Sequence, residues 1–304
     1  MVAVMPVDDP PTDPLHGVRV CLRGLGQVMF QRNAAAGLLF LVGMAIASPW
    51  LAAGAAVGAV LGPLTAVGLR CDRGAIDDGL FGFNAALVAA AAVFLLPPTP
   101  MTWALAVAGA VLSVPLTAAC RRWVPFPTYT APFVLTAWGL LAVAGAVGDL
   151  PPAAAPAGPA AADTRPRWER FADEVAAGIA EVMFGANALT GACFLAGLAI
   201  AAPRHALVAV VGAVLGTLVA VYHRDPQDQI DLGIYGYNAA LAALAGWLAR
   251  PSWLAVIVAA AVSVPLVECF PATAGFPALT APFIMAAWIV LAILALDRGT
   301  PACT

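Results

Sequence analysis

An internal duplication covers almost the whole sequence. The block QVMFQRNAAAGLLFLVG from Gln27 pairs with EVMFGANALTGACFLAG from Glu181, and GLFGFNAAL from Gly79 pairs with GIYGYNAAL from Gly233, each 154 positions apart. VGAVLG recurs at the same offset, whereas SVPL and the pair FPTYTAPF and FPALTAPF recur 150 positions apart. Because several separate blocks repeat in one order, the chain is predicted to fold as two homologous halves.

Each half is a series of apolar segments. The 304 residues are 62% hydrophobic and 10% charged, whereas soluble domains are roughly a quarter charged. Six helical segments are predicted in the first half, over 16–32, 34–50, 51–69, 79–96, 100–119 and 128–148. Several approach the ~20 residues that cross a bilayer core. The sequence therefore predicts an all-α membrane protein and excludes a soluble globule. The net charge of −3 argues against a nucleic-acid-binding surface.

The first segment of each half is short and polar, which is typical of a re-entrant or tilted helix. Five transmembrane helices then remain per half, and this odd number predicts that the two homologous halves are inverted. With five crossings per half, seven arginines lie on one face of the membrane and four on the other, whereas six crossings per half would put five on one face and six on the other. The uneven distribution favours inverted halves, because positive charge collects on the cytoplasmic face. The majority set is Arg70, Arg73, Arg121, Arg122, Arg204, Arg250 and Arg298, against Arg165, Arg167, Arg170 and Arg224.

Five regions follow from these patterns. We expect a disordered N-terminal tail over 1–14, a first half over 15–148, an extracellular linker over 149–167, a second half over 168–297 and a C-terminal tail over 298–304. The linker is rich in proline and alanine and lacks apolar periodicity. Inverted halves predict that both termini lie in the cytoplasm. We expect a multi-pass protein of the cell (inner) membrane.

Polar side chains inside apolar segments are candidates for a transport path, because hydrocarbon penalises them. Gln27 and Glu181 occupy equivalent repeat positions, and Phe30 and Phe184 follow each by three residues. On a helix that spacing puts ring and polar group on one face, so we predict hydrogen-bonding stations beside aromatic slots. The alternatives are that Glu181 caps a helix or pairs with Arg23, and that the rings are core.

A second candidate set surrounds the repeated Thr-Ala-Pro-Phe blocks. Thr130 and Thr280 precede a proline that frees a main-chain carbonyl within the helix, so both are predicted to line the path; the alternative is that each bonds to its own helix. The asparagines of the repeat could line a path or, more simply, close helix ends and turns. They are Asn33, Asn84, Asn187 and Asn238.

No catalytic constellation, metal site or cofactor motif is indicated. The six cysteines are scattered without a CxxC pair, and the histidines His16, His205 and His223 have no partner at metal-ligand spacing. Paired carboxylates are absent from the apolar segments. We therefore expect no enzyme, metal or cofactor.

The repeated blocks GQVMFQRNAAAGLLFLVG, GLFGFNAALVA and FPTYTAPFVLTAW closely resemble those of channel-type urea transporters, over about residues 15–297. One departure is Arg32-Asn33-Ala34, where the family often carries Asn-Asn-Pro or Asn-Pro. The resemblance implies a homotrimer in the lipid bilayer, with one urea pore between the inverted halves of each protomer. It assigns Gln27 and Glu181 to the filter ends, Phe30 and Phe184 to urea slots, Thr130 and Thr280 to the filter, and Leu87 and Leu241 to its apolar lining.

Passive permeation of urea is thus the predicted function. Urea carries four N–H donors and one carbonyl acceptor, so oxygens from threonine, glutamine, glutamate and free carbonyls can replace its water. A coupled secondary transporter would also show inverted repeats, and Glu181 would then be its titratable centre. A channel for ammonia, water or a short amide is a further alternative. A membrane-embedded enzyme is less consistent with the residues present.

Overall fold

The computed structural model describes residues 14–148, 164–270 and 276–299. Every regular element in these ranges is a helix. The first seven are α1 (His16–Gln27), α2 (Ala34–Ala47), α3 (Pro49–Gly68), α4 (Arg73–Asp77), α5 (Gly82–Leu95), α6 (Pro100–Trp123) and α7 (Ala131–Ala146). The next seven are α8 (Arg167–Glu181), α9 (Ala188–Ala201), α10 (Pro203–His223), α11 (Gln227–Asp231), α12 (Ile234–Ala249), α13 (Trp253–Glu268) and α14 (Ala281–Gly299).

The all-α prediction is confirmed, with some differences in the boundaries. Each half contains the six predicted helices in order, plus a five-residue helix, α4 or α11, that carries too few apolar residues for a periodic pattern. Helix α1 ends at Gln27 rather than at residue 32, and α6 continues to Trp123. The predicted N-terminal tail, most of the linker and the end of the C-terminal tail lie outside the described residues.

Helices α3, α6 and α10 are long and apolar enough to span a membrane. Six more apolar helices have 10–17 residues: α2, α5, α7, α9, α13 and the apolar part of α14. A helix of 14 residues is about 21 Å long. By length and composition the helices are compatible with a membrane protein. Helices α1 and α8 differ from them, because polar and charged residues occupy one face of each.

Glycines let α3 approach α5, and α10 approach α12, almost to backbone contact. A Cβ atom on Gly58 would lie 2.2 Å from the Ala85 carbonyl oxygen, and one on Gly212 would lie 2.7 Å from the Ala239 oxygen. Both glycines belong to the repeated VGAVLG block. The buried core between these helices consists largely of alanine, so the repeat encodes close helix packing in both halves.

The two halves contact each other through reciprocal pairs. Phe40 on α2 packs against Phe194 on α9 with ring centroids 5.2 Å apart. A Cβ on Gly43 would lie 2.7 Å from the Phe194 ring, and one on Gly197 would lie 2.7 Å from the Phe40 ring. At this pair, the contact made by the first half is repeated by the second with the roles exchanged.

The same reciprocity occurs at the start of α7 and α14. The Trp138 indole N–H donates to the Pro277 carbonyl, and the Trp288 indole N–H donates to the Pro127 carbonyl, each at 2.9 Å. These two hydrogen bonds fix the segments that carry Thr130 and Thr280 against each other. The sites predicted from separate repeats are thus brought together.

Candidate functional site

The loops after α1 and α8 hold two phenylalanines in a left-handed backbone conformation. Phe30 has φ 62° and Phe184 has φ 64°. Their amides donate to the carbonyls of Gln27 and Glu181 at 3.0 Å in both halves. Positive φ in a bulky residue is a strained geometry that clusters at functional sites. The helical spacing argument for these residues was wrong, because α1 and α8 end before the rings and a turn positions them instead.

A cavity opens beside each of these loops, and the two cavities are lined by equivalent positions of the repeat. The first vestibule, of about 370 Å³, includes Gln27, Phe30, Phe83, Tyr129 and Thr130. The second vestibule, of about 430 Å³, includes Glu181, Phe184, Tyr237, Leu279 and Thr280. Three of the pore residues predicted in each half therefore line its vestibule: one polar group, one phenylalanine and one threonine.

The two vestibules meet at the predicted threonines. Thr130 and Thr280 are each 3% exposed, and their hydroxyl oxygens are 2.7 Å apart in a mutual hydrogen bond. The residues are 150 positions apart in sequence, so only the packing of the two halves brings them together.

Aromatic rings from both halves surround this meeting point. The Phe30 ring lies 6.2 Å from Phe283, and the Phe184 ring lies 6.4 Å from Phe133, both edge-to-face with an interplanar angle of 72°. Tyr129 adds a contact of 5.8 Å with Phe30. Phe30 and Phe184 thus each pack against a ring of the opposite half.

Asn84 and Asn238 cap the helices that follow the threonines. Their side-chain oxygens accept the amides of Phe133 and Phe283, at 3.2 and 3.0 Å. These amides would otherwise bond to the carbonyls of Tyr129 and Leu279, one helical turn earlier, and the prolines before them have no N–H. The asparagine side chains therefore release two main-chain carbonyls beside the meeting point of the vestibules.

Asn33 and Asn187 have a different structural position. Each precedes a helix, α2 or α9, and its side-chain oxygen accepts an amide three residues later, at 3.0 and 2.9 Å. This is the geometry of a helix N-cap. Of the two roles considered for Asn33 and Asn187, lining a path or closing a helix end, their contacts match the second.

Gln27 and Glu181 differ in their polar partners. The Gln27 amide donates to the Asp78 carbonyl at 2.9 Å. One carboxylate oxygen of Glu181, Oε2, is buried and has no hydrogen-bond partner among the described residues. The Asp78 carboxylate, on the loop after α4, is paired with Arg32 at 2.6 Å. Burial raises the pKa of Asp78, while Arg32 and then Arg23 oppose the shift.

Leu87 and Leu241 lie in the packed core of α5 and α12. They are 2% and 1% exposed and belong to the central hydrophobic cluster. Neither is among the described residues that line the two vestibules. Their assignment to the apolar lining of the path stays a prediction.

The family comparison covers the same part of the chain. The model of the urea transporter family matches residues 18–295. The chain belongs to the urea transporter family. This membership makes it a membrane transport protein and not an enzyme, and it supports urea as the transported solute.

Curated urea transporters agree along most of the sequence. The chain is 27% identical over 290 residues to urea transporter 1 of Ovis aries, which covers 89% of this chain and 75% of that protein. It is 30% identical over 236 residues to urea transporter 1 of Mus musculus, covering 74% of this chain and 61% of that protein. The resemblance that the repeated blocks predicted is confirmed.

For a urea transporter, the vestibules contain residues that the sequence alone did not single out. They are Phe83, Tyr129, Phe133, Tyr237 and Leu279, and the Phe283 ring packs beside them against Phe30. All six belong to the repeated blocks, so comparison of equivalent positions in the two copies could have found them. What sequence spacing could not show is which of these side chains turn toward a common cavity.

One side-chain cluster lies at the protein surface and was also missed. His223 Nδ1 is 2.6 Å from Glu268 Oε1, and a carboxylate oxygen of Asp225 lies within 4.8 Å of both atoms. The residues come from the ends of α10 and α13, which explains why sequence spacing did not group them. The His223–Glu268 contact lies at a partly exposed position, and polar contacts at such positions contribute little to stability.

Proposed function

We propose that the protein is a facilitative urea channel whose path runs through the two vestibules and between the two halves. The observation that carries the proposal is the meeting of the vestibules at the Thr130–Thr280 hydrogen bond. Equivalent repeat positions line both approaches to it. In this proposal the threonine pair is the narrow point, and urea crosses it without coupling to an ion.

The chemistry of the path fits a flat, neutral molecule. Urea needs acceptors for its N–H groups and a donor for its carbonyl. The threonine hydroxyls can serve both purposes, while Gln27, Glu181 and the Tyr129 carbonyl add acceptors on either side. Phe30 and Phe184 provide apolar surface beside these oxygens. An ion would lose its water without equivalent replacement, which favours selectivity for neutral solutes.

We further propose that the two halves are inverted in the membrane. Reciprocal contacts at Phe40–Phe194 and at the Trp138 and Trp288 indoles support a two-fold relation between the halves. The crossings in this proposal are α2, α3, α5, α6 and α7 in the first half and α9, α10, α12, α13 and α14 in the second. Five is an odd number, so the second copy would enter the membrane from the opposite side. With α1 and α8 not crossing, the arginine distribution puts both termini in the cytoplasm and the linker outside.

The proposed assembly and cellular location rest on the resemblance to channel-type urea transporters. We propose a homotrimer in the cell (inner) membrane, with a complete path in every protomer. Large apolar side chains such as Trp50, Leu64 and Leu254 are exposed on the single chain, as expected for a surface that faces lipid or neighbouring protomers. The proposed units are residues 15–148 and 168–297.

A coupled secondary transporter is the second candidate, and one observation favours it. Glu181 lines the second vestibule, and one of its carboxylate oxygens is buried with no hydrogen-bond partner in the part of the chain that the structure describes. A carboxylate in that position could bind a coupling proton. A further variant is preference for another small neutral solute, such as a short amide, ammonia or water.

Flux through proteoliposomes separates these candidates. Stopped-flow light scattering would measure urea entry with no ion gradient, and then with an imposed proton or sodium gradient. The channel proposal expects rapid urea equilibration that neither gradient changes. Urea entry that requires a gradient would instead establish coupled transport, and faster entry of ammonia, water or dimethylurea than of urea would reassign the solute.

A further inference from the structure

The two vestibules differ at one pair of equivalent positions in a way that changes their chemistry. Phe83 on α5 lines the first vestibule, and Tyr237 on α12 lines the second. The two residues occupy the same place in the repeated blocks GLFGFNAAL and GIYGYNAAL. The second vestibule therefore has a phenol hydroxyl where the first has only a ring.

The Tyr237 hydroxyl is used for a specific main-chain contact. It donates a hydrogen bond to the carbonyl oxygen of Leu279, one of the two carbonyls that the capping asparagines release from helix bonding. The Asn238 side-chain nitrogen also approaches this oxygen, at 3.4 Å. A carbonyl oxygen has two lone pairs, so both of its acceptor sites face a protein donor.

The equivalent carbonyl of the first half, that of Tyr129, has a different surrounding. Phe83 has no hydroxyl to donate, and the Asn84 side-chain nitrogen turns instead to the Thr117 hydroxyl at 3.3 Å. The position equivalent to Thr117 in the second half is Val267, which offers no acceptor. Within the described residues, no donor bonds to the Tyr129 carbonyl, and Tyr129 lines the first vestibule.

We propose that Tyr237 is a positioning residue that withdraws the Leu279 carbonyl from the urea path, so that the two vestibules bind urea unequally. The first vestibule offers a main-chain carbonyl as acceptor, whereas the second relies on the Glu181 carboxylate. This inference rests on the proposed urea path. It predicts that one hydroxyl group, present in one half and absent in the other, changes the acceptor strength of its vestibule.

Reciprocal substitutions test it. Tyr237→Phe removes the hydroxyl and frees one acceptor site on the Leu279 carbonyl, which is a stronger acceptor than the phenol oxygen that is lost. Phe83→Tyr adds a hydroxyl beside the Tyr129 carbonyl and occupies that acceptor. The half-saturation concentration for urea, measured from the flux over a range of concentrations, is expected to fall roughly two- to tenfold in Tyr237→Phe and to rise by a similar factor in Phe83→Tyr.

The outcomes separate this inference from a purely structural role and from the proposed function. If Tyr237→Phe lowers the unfolding temperature in detergent while both variants keep the wild-type half-saturation concentration, the hydroxyl only supports the fold and the inference is wrong. Shifts of the same sign in both variants would also overturn it. If the wild-type protein conducts no urea, the proposed function itself fails. The double variant Phe83→Tyr/Tyr237→Phe moves the hydroxyl from the second vestibule to the first and combines the two opposite shifts, so its half-saturation concentration is expected to lie between those of the single variants.

Discussion

Single hydroxyl groups at the meeting point of the vestibules give the most direct prediction. Thr130→Val keeps the shape of the side chain and removes its hydroxyl, leaving the buried Thr280 hydroxyl without its partner. Loss of one hydrogen bond at a desolvated narrow point is expected to reduce urea flux about tenfold. Thr136→Val is the matched control, because Thr136 donates to the Pro132 carbonyl of its own helix at 2.7 Å. Equal flux loss in both variants would refute a special role for Thr130.

Glu181 tests whether the second vestibule needs a charge or only an acceptor. Gln27 holds the equivalent position of the first vestibule with a neutral amide. We therefore expect Glu181→Gln to retain urea flux within about twofold, and Glu181→Ala to reduce it about tenfold through loss of the acceptor. Stopped-flow measurements on proteoliposomes of equal protein content would show this. A Glu181→Gln variant as inactive as Glu181→Ala would point to a required charge and so to the coupled alternative.

At the level of helices, packing depends on positions where no side chain fits. Gly58→Ala would place a Cβ 2.2 Å from the Ala85 carbonyl oxygen and force α3 away from α5. We expect this change to destabilise the protein by about 1–3 kcal/mol, as overpacking does. Gly139→Ala on α7 is the control, since nothing lies within 4 Å of its Cβ position and alanine favours a helix. Thermal unfolding in detergent should show a lower midpoint for Gly58→Ala only.

Helix order was predictable from the sequence, whereas helix ends were not. The repeat and the apolar segments predicted six helices per half because both signals extend over many residues. The end of α1 at Gln27 depends on the positive φ of Phe30, which the surrounding structure stabilises against its local preference. Likewise, Asn84 and Asn238 could be aligned by sequence, but their bonds to the Phe133 and Phe283 amides depend on the placement of another helix.

The orientation of the whole molecule follows from the number of crossings in each half. Five crossings per half put the two termini on one face and the linker on the other, whereas six put all three on the same face. Single cysteines in a variant lacking the six natural ones would decide, for example Val2→Cys and Ala160→Cys. An impermeant maleimide applied to intact cells is expected to label Ala160→Cys alone. Labelling of both or of neither would contradict inverted halves.

A path between the halves also means that joining the halves at its centre should close it. The Thr130 and Thr280 hydroxyl oxygens are 2.7 Å apart, so cysteines at both positions would place two sulfur atoms next to each other, where oxidation is expected to form a disulfide. In the double variant Thr130→Cys/Thr280→Cys, oxidation is expected to abolish urea flux and reduction to restore it. The two single variants control for reaction of the natural cysteines and for loss of the hydroxyls. Full flux through the oxidised, cross-linked protein would show that urea passes elsewhere, because a solute cannot cross a narrow point whose two sides are covalently joined.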